Sequence, residues 1–308
     1  MKNLTIKQLR YIEALADQRH FGRAAAVCSV TQPALSMQIR ELEAELGAAL
    51  FERGAREARL TGLGVEFAHR TREVLRAVDE LSELARAARE RLAGRLRIGV
   101  IPTIAPYLLP AIAEGLAQHF PGLELGLRET VTPRLIRELN EGRLDTAVAA
   151  LPVSEPGLTE VALFSEEFVL VRSKADAGKP VPDRAQLREM RLLLLEEGHC
   201  FRDQALSFCE LRSARPRELL DGSSLATLVQ MAGAGLGVTL IPAMAVPVEA
   251  RSAPVSIARF PPPKPARTIG MVWRRTSPLA RQLEEVAEVV REAAATLQSP
   301  ATAPDAAE

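Results

Sequence analysis

The sequence has few cysteines, few aromatic residues and no long apolar run. Three of its 308 residues are cysteine, 4% are aromatic, and 39 Lys and Arg balance 39 Asp and Glu. So few cysteines exclude a disulfide scaffold. The net charge of zero excludes a basic nucleic-acid coat protein and a polybasic membrane binder, but it leaves room for a local DNA-binding surface. Because no apolar run reaches about 18 residues, we predict no transmembrane helix.

The N-terminal segment indicates where the protein is located in the cell, and the histidines indicate whether it binds a metal. Residues 1–7 soon carry charge and lack the apolar core of a secretory signal, so we expect a cytoplasmic protein. The four histidines form no ligand-spaced cluster with the cysteines, and we predict no metal and no cofactor. In a reducing cytosol, the nearby pair Cys200 and Cys209 points to reactivity rather than to architecture.

The chain divides into three blocks and a tail. Residues 1–61 predict a compact all-α domain, residues 62–92 a long helix, residues 94–298 alternating strands and helices, and residues 299–308 a disordered tail. The alternation predicts βαβ units around a mainly parallel sheet. The predicted strands are 96–101, 123–127, 146–151, 161–164, 167–172, 192–195, 238–241 and 268–273, and the predicted helices of this block are 106–120, 133–139, 202–210, 224–234 and 279–297.

Residues 21–46 have the pattern of two short helices joined by a turn. An apolar face with helical spacing runs from Phe21 to Cys28, so Cys28 is predicted to be a core residue. Polar side chains lie opposite the apolar stripe of the second helix, and such side chains can bond base edges in the major groove. A structural hairpin with a solvated polar face is the alternative. The candidate DNA-binding residues here are Thr31 (also the predicted N-cap), Gln32, Pro33, Ser36, Gln38 and Arg40.

The segment that follows predicts a short β wing with exposed cations. Arg53, Arg56 and Arg59 cluster between two short apolar segments. An Arg on such a wing can bind phosphate or enter the minor groove. Arg53 therefore joins the candidate DNA-binding residues.

The long helix 62–92 carries an apolar seam with heptad spacing, which favours pairing with a second copy of the chain. A surface helix packed on its own domain is the alternative. The seam positions are Val74, Val78, Leu81, Ala85, Ala88 and Leu92.

A second group of reactive residues surrounds the two nearby cysteines. If residues 202–210 are helical, Cys200 lies near the helix N-terminus, where the macrodipole favours thiolate, and Cys209 lies on the buried side. Nine residues of helix separate the Cα atoms by about 13 Å. A disulfide needs about 4.4–6.8 Å, so oxidation of this pair requires the helix to unwind or shift. Two unrelated apolar cysteines are the alternative.

The first 65 residues resemble the winged helix-turn-helix of LysR-type transcription regulators. The resemblance implies a dimeric linker helix and an α/β effector domain of two Rossmann-like lobes, similar to periplasmic binding proteins. It also implies that Gln32, Pro33, Ser36 and Arg53 approach DNA, whereas Met37 departs from the Arg often found there. The matching segments are 9–11, 21–25, 31–36, 38–39, 42–43, 46–47, 50–53 and 60–64.

Residues 196–209 closely resemble the redox-active segment of the LysR-type regulators that sense hydrogen peroxide. Segments 101–103, 106–110, 267–270 and 277–279 extend this resemblance. It implies that Cys200 is the peroxidatic cysteine and Cys209 the resolving one. The implied peroxide pocket consists of Thr103, Thr132, His199, Gln204 and Arg267.

Three of these pocket assignments have alternatives. Thr130 is as able as Thr132 to donate a hydroxyl. His199 could merely cap the helix, and Arg267 could pair with a carboxylate.

The predicted function is a peroxide-responsive DNA-binding regulator, not an enzyme. The expected partners are promoter DNA, hydrogen peroxide, further copies of the chain in a dimer of dimers, RNA polymerase and recycling thiol reductants, with no membrane. One alternative is a LysR-type regulator that binds a small metabolite in its cleft. The other is a thiol peroxidase, which leaves the helix-turn-helix unexplained.

Overall fold

The computed structural model describes residues 4–52, 57–87, 92–209 and 219–298. The chain forms two compact units, Met1–Ala85 and Arg86–Glu308. The wing-tip residues Arg53 and Arg56, the seam residue Ala88 and the tail 299–308 lie outside the described residues. None of the described helices combines the length and apolarity needed to cross a membrane.

The first unit is a helical domain built on three short helices. They are α1 (Ile6–Gln18), α2 (Phe21–Val27) and α3 (Gln32–Leu46). Their apolar faces meet in a core with Leu15 and Leu35 fully buried. Cys28 lies at the edge of this core, partly buried, rather than inside it.

Side chains and backbone close the ends of these helices. Thr5 and Gln8 form a capping box on α1. The Nδ1 atom of His20 accepts hydrogen bonds from the first amides of α2, at 3.1 and 3.3 Å. Thr31 occupies the predicted N-cap of α3 but makes no side-chain capping hydrogen bond.

A two-stranded wing base follows α3. Phe51 and Leu60 form an antiparallel bridge, and the Glu52 amide donates to the Arg59 carbonyl at 2.8 Å. The Glu43 carboxylate of α3 accepts from the amides of Leu50 and Phe51, at 2.7 and 3.0 Å. The wing is therefore fixed to the helix that precedes it.

The long helix α4 spans Gly62–Ala87. Its seam residues Val74 and Leu81 are 46% and 66% exposed in the single chain. Leu92, predicted as the last seam position, is instead buried in the core of the second unit. The heptad spacing extends by coincidence to a core residue of the second unit, because periodicity does not reveal where a helix ends.

The second unit contains nine described strands in a mixed sheet and a small parallel pair. The strands are β1 (Gly94–Val100), β2 (Leu123–Glu129), β3 (Thr146–Leu151), β4 (Leu158–Ser173), β5 (Leu192–Leu195), β6 (Leu219–Gly222), β7 (Thr239–Pro242), β8 (Val255–Arg259) and β9 (Ala266–Arg274). The main order is β2-β1-β3-β9-β4-β7, with β8 beside β4, and β5 pairs with β6.

In the described part of this unit, seven α-helices pack around these strands. They are α5 (Ala105–His119), α6 (Thr132–Asn140), α7 (Arg184–Glu189), α8 (Cys200–Phe208), α9 (Leu225–Gly233), α10 (Val246–Glu249) and α11 (Ala280–Gln298). The apolar side chains form two separate cores, one around Ile98 and Trp273 and one around Leu193 and Ile241. These cores correspond to the two predicted lobes, and β4 contributes residues to both.

The prediction of a mainly parallel sheet is wrong. Strand β1 is parallel to β2 and β3, but β9 is antiparallel to both β3 and β4. The direction of β9 depends on how the chain returns after the second lobe, which the alternation of elements does not encode.

The two strands predicted at 161–164 and 167–172 are one continuous strand, β4. Its pairing with β9 shifts by one residue at a β-bulge between Ala162 and Phe164. Beyond the bulge, Glu166 lies directly opposite Arg267. Ser165 and Glu166 interrupt the apolar pattern, so the sequence alone predicts a break between two strands there. The residues that they face belong to β9, and the local sequence does not show them.

We predict that Gly270→Ala destabilises the second unit. A Cβ at this position of β9 would lie 2.7 Å from the carbonyl oxygen of Val161 and even closer to the Leu151 side chain. We expect a loss of about 1–3 kcal/mol in unfolding free energy, because the backbone of β4 must move. Thermal melting measures the effect.

Gly157→Ala is the matched control, because a Cβ there has open space apart from Asn140 at 4.0 Å. Equal melting temperatures for the two variants would contradict the close-packing argument.

Candidate functional site

Cys200 and Cys209 occupy the two ends of the short helix α8. Cys200 is the first residue of the helix and is partly buried, whereas Cys209 is the C-cap and is 1% exposed. Both thiols are free. With a rise of 1.5 Å per residue, the helix separates their Cα atoms by about 13 Å, well beyond disulfide distance.

The start of α8 is set by a glycine turn. Gly198 has φ of 95°, a conformation that side chains rarely adopt, and it lets the chain turn sharply between β5 and α8. The predicted helix began two residues later, at Arg202. The observed start puts Cys200 in the first turn, where the unpaired backbone amides and the macrodipole favour negative charge.

Cys200 borders a narrow crevice between three segments of the second unit. The open space along it is about 160 Å³, part of which is continuous with solvent, and a water-sized sphere fits only if side chains move. Pockets that enclose drug-sized molecules measure roughly 300–1,000 Å³, so the crevice must open to admit one. Its lining residues are Ile101, Pro102, Thr103, Val131, Thr132, His199, Cys200 and Phe201.

Four of the predicted site residues therefore meet at this crevice: Thr103, Thr132, His199 and Cys200. Thr130 does not line it, and its amide donates to the Val100 carbonyl at 3.1 Å. Among the described contacts, the Thr132 hydroxyl is buried without a hydrogen-bond partner. Such an unpaired hydroxyl can bond a small hydrogen-bonding guest.

Gln204 and Arg267 do not line the crevice. Gln204 lies one helical turn after Cys200, and within the described part of the chain its buried Oε1 atom has no hydrogen-bond partner. Arg267 is 4% exposed and lies behind Thr103, with its guanidinium 5.2 Å from the centre of the Phe201 ring.

Arg267 is fixed by a carboxylate and by Thr103. Its Nε and Nη2 atoms lie 2.8 and 2.7 Å from the Oε2 atom of Glu166. Its Nη1 atom donates to the Thr103 hydroxyl oxygen at 2.8 Å, and Nη2 to the Thr103 carbonyl at 3.3 Å. Arg267 therefore pairs with a carboxylate and also reaches the crevice, through Thr103.

His199 is the N-cap residue of α8, but its side chain makes no capping hydrogen bond. Burial lowers the pKa of its imidazole, with Glu196 and Glu129 acting in the opposite direction. The neutral form of the imidazole is therefore favoured at neutral pH. A neutral imidazole has one donor nitrogen and one acceptor nitrogen, and His199 lines the crevice.

Cys209 is held in the second core by α7. The Arg188 side chain donates to the Cys209 carbonyl at 3.1 Å, and the Arg184 guanidinium lies 5.0 Å from the Phe208 ring centre. Burial raises the pKa of the Cys209 thiol to about 11, although both arginines oppose the shift. Cys209 is thus an inert thiol while α8 is intact.

Sequence reasoning missed Glu166, Arg184 and Arg188. The available signal for Glu166 was strand alternation, which places it on the same face as Phe164 and the buried Phe168. Helix α7 was too short to give a periodic pattern.

The first unit contains the candidate DNA-binding face. Gln32, Ser36 and Arg40 of α3 line a groove shared with the wing base residues Glu52 and Ala58. The remaining predicted residues of α3 lie outside the lining of this groove: Thr31 and Pro33 are exposed at its N-terminal end, and the Gln38 amide donates to Glu41 at 2.7 Å.

We predict that the thiols of Cys200 and Cys209 react with alkylating reagents at very different rates. At pH 8 only about one Cys209 thiol in a thousand is ionised, given its pKa of about 11, and the thiolate is the reactive form. Iodoacetamide should modify Cys200 first. Labelling of Cys209 should be slow and should rise about tenfold per pH unit up to pH 10.

Peptide mass mapping after timed labelling measures both rates. Guanidinium-unfolded chain is the control, in which both cysteines should react alike. Fast labelling of Cys209 in the folded chain at pH 8 would contradict its burial.

Two family profiles match the chain. The bacterial regulatory helix-turn-helix protein, lysR family, matches residues 6–65, and the LysR substrate binding domain matches residues 89–295. Among the relatives, the DNA-binding transcriptional dual regulator OxyR of Escherichia coli is 43% identical over 94% of this chain and 95% of its own length. A probable hydrogen peroxide-inducible genes activator of Mycobacterium avium is 41% identical, over 94% of each chain.

Solved structures agree with these relatives. A full-length OxyR variant from Pseudomonas aeruginosa has a TM-score of 0.74 at 37% identity, over 94% of this chain and 96% of that chain. A hydrogen peroxide-bound OxyR mutant from Corynebacterium glutamicum has a TM-score of 0.66 at 33% identity, over 96% and 94%. The chain belongs to the LysR family of bacterial helix-turn-helix regulators and, within it, to the OxyR group of hydrogen peroxide-inducible genes activators.

Proposed function

We propose that this chain is a DNA-binding transcription regulator that senses hydrogen peroxide by reversible formation of a Cys200–Cys209 disulfide. The observation that carries the proposal is the placement of the two thiols at opposite ends of α8, one on a narrow crevice and one in the core. Oxidation of this pair must rebuild the helix. A chemical event therefore becomes a conformational one.

The first step is attack of the Cys200 thiolate on one oxygen of hydrogen peroxide. A sulfur–oxygen bond forms, the oxygen–oxygen bond breaks, and the departing hydroxide takes a proton to become water. The sulfur becomes a sulfenic acid. Hydroxyls of Thr103 and Thr132 and the imidazole of His199 are available to stabilise the developing charge.

The second step is attack of Cys209 on the sulfenic sulfur. The disulfide forms and one water molecule leaves, so atoms and electrons balance. Cys209 must first leave its buried site, which breaks the Arg188 contact to its carbonyl. We infer that the refolded segment alters contacts between subunits and so changes how the DNA-reading domains are spaced. Cellular thiols then return the chain to the dithiol state.

DNA binding is assigned to the first unit. The proposed contact residues are Thr31, Gln32, Pro33, Ser36, Gln38 and Arg40, together with Arg53, which lies outside the described residues. The exposed apolar side chains of α4 support pairing of two chains through this helix.

The remaining parts of the proposal concern the oligomeric state, the partners, the location and the domain boundaries. We propose a dimer of dimers, contact with RNA polymerase, activation of antioxidant genes and a cytoplasmic location where the chain meets chromosomal DNA. The proposed boundaries are 1–61 for the DNA-binding domain, 62–92 for the linker, 94–298 for the sensor and 299–308 for the tail.

The small crevice argues against a metabolite as the natural effector. A water-sized sphere fits in it only if side chains move, so a typical organic ligand would require a much larger opening. The Tyr107 hydroxyl of α5 also donates a hydrogen bond of 2.7 Å to Glu249 of α10. Membership of the LysR family makes the chain a regulator rather than a thiol peroxidase.

We predict that Cys200→Ser abolishes the peroxide response on DNA. Cys209→Ser should stop at a sulfenic acid and form no disulfide, because the resolving thiol is missing. DNase footprinting before and after micromolar peroxide, with non-reducing mass mapping, measures both outcomes. Cys28→Ser is the matched control and should respond like the unaltered chain. A peroxide-dependent footprint change in Cys200→Ser would disprove the sensor assignment.

We predict that Gln32→Ala weakens operator binding about 5- to 150-fold, which corresponds to losing one good base contact of about 1–3 kcal/mol. Titration at fixed salt by fluorescence anisotropy measures it. Lys7→Ala, an exposed cation on α1, is the control and should change affinity by less than about threefold. Equal losses for both variants would contradict a specific base contact by Gln32.

A further inference from the structure

We propose that Glu166 is a positioning residue for the peroxide reaction, which orients Arg267 so that Thr103 donates its hydroxyl hydrogen into the crevice. This inference rests on the proposed function and deepens it. Glu166 is 2% exposed, and its carboxylate is the cross-strand partner of Arg267. None of the resemblances in the sequence pointed to this glutamate.

The register of β4 and β9 places the carboxylate. The bulge between Ala162 and Phe164 adds one residue to β4, so Glu166 rather than Ser165 lies opposite Arg267. Glu167 points to the other face, where it pairs with Lys264 at 2.7 Å and with Arg259 at 3.4 Å. Two adjacent glutamates thus have different partners and different environments.

The guanidinium of Arg267 is held on three sides. Two of its nitrogens face Glu166, two contacts go to Thr103, and the ring of Phe201 lies against its face. An Arg side chain is planar, so fixing two of its edges fixes the remaining N–H directions. The carboxylate also neutralises a buried cation that would otherwise lie close to the crevice without a partner of opposite charge.

The hydrogen bond from Arg267 makes the Thr103 hydroxyl oxygen an acceptor and leaves its hydrogen to be donated elsewhere. Arg has donors only, so the Thr103 oxygen must accept from Nη1. The hydroxyl hydrogen of Thr103 is then directed elsewhere, and Thr103 borders the crevice beside Cys200. Hydrogen bonds in such a chain strengthen one another, so the cation of Arg267 makes Thr103 a better donor to the departing peroxide oxygen.

The test compares two reactions of Cys200 in Glu166→Gln. The rate constant with hydrogen peroxide should fall about 10- to 100-fold, because a donor to the transition state is misplaced. The rate with iodoacetamide at the same pH should change by less than about threefold, since iodide departs without help from Thr103. Loss of both rates in equal proportion would overturn the proposal, because general damage to the thiol site would explain it.

Glu167→Gln is the matched control and should keep the unaltered peroxide rate. Thr103→Val supplies a second comparison, since without its hydroxyl the Glu166→Gln change should cost less than about threefold. Full additivity of the two changes would overturn the proposed chain from Glu166 through Arg267 to Thr103.

Arg267→Lys keeps a cation beside Glu166 but removes the planar guanidinium that bonds Glu166 and Thr103 together. This variant tests the same chain of contacts if Glu166→Gln does not fold. It should also lose peroxide rate about 10- to 100-fold and keep its iodoacetamide rate. An unchanged peroxide rate in either folded variant overturns the role of Glu166. Failure of the unaltered chain to oxidise at Cys200 would instead overturn the proposed function, and this role with it.

Discussion

The length and rigidity of α8 constrain everything else in the sensor unit. A hydrogen-bonded helix keeps the first and last residues of the segment about 13 Å apart. A helix of nine residues is only marginally stable alone, so its persistence depends on tertiary contacts. These are the burial of Phe201 and Ala205 and the Arg188 hydrogen bond to the Cys209 carbonyl. Such an element can be intact in one redox state and rebuilt in the other.

The two ends of this helix are in opposite chemical environments. At one end, Cys200 borders a crevice with the Thr103 and Thr132 side chains and a His199 whose neutral form is favoured. At the other, burial raises the pKa of Cys209 to about 11 and removes it from reaction. The order of events proposed here follows from this asymmetry, since the accessible thiol reacts first and the buried one waits for the helix to open.

The sequence was most informative where apolar periodicity is strong and uninterrupted. Strand β3 has the predicted bounds, and α5 and α11 differ from prediction by one residue at each end. Short elements such as α7 and β6 gave too few residues for a pattern. Glu166 falls in the gap between two predicted strands, because a polar residue on an inward face fits a strand only when its buried partner is known.

The sequence by itself determined the helix-turn-helix, the family and the spacing of the two cysteines, because these depend on residues close together in the chain. Only the tertiary structure decided that Thr132 rather than Thr130 borders the crevice. It also decided that Arg267 lies behind Thr103 and that Glu166 pairs with Arg267. Glu166 and Arg267 are 101 residues apart, and their contact depends on strand direction and on one bulge. Periodicity reports which face a side chain occupies, but it carries no information about what that face meets.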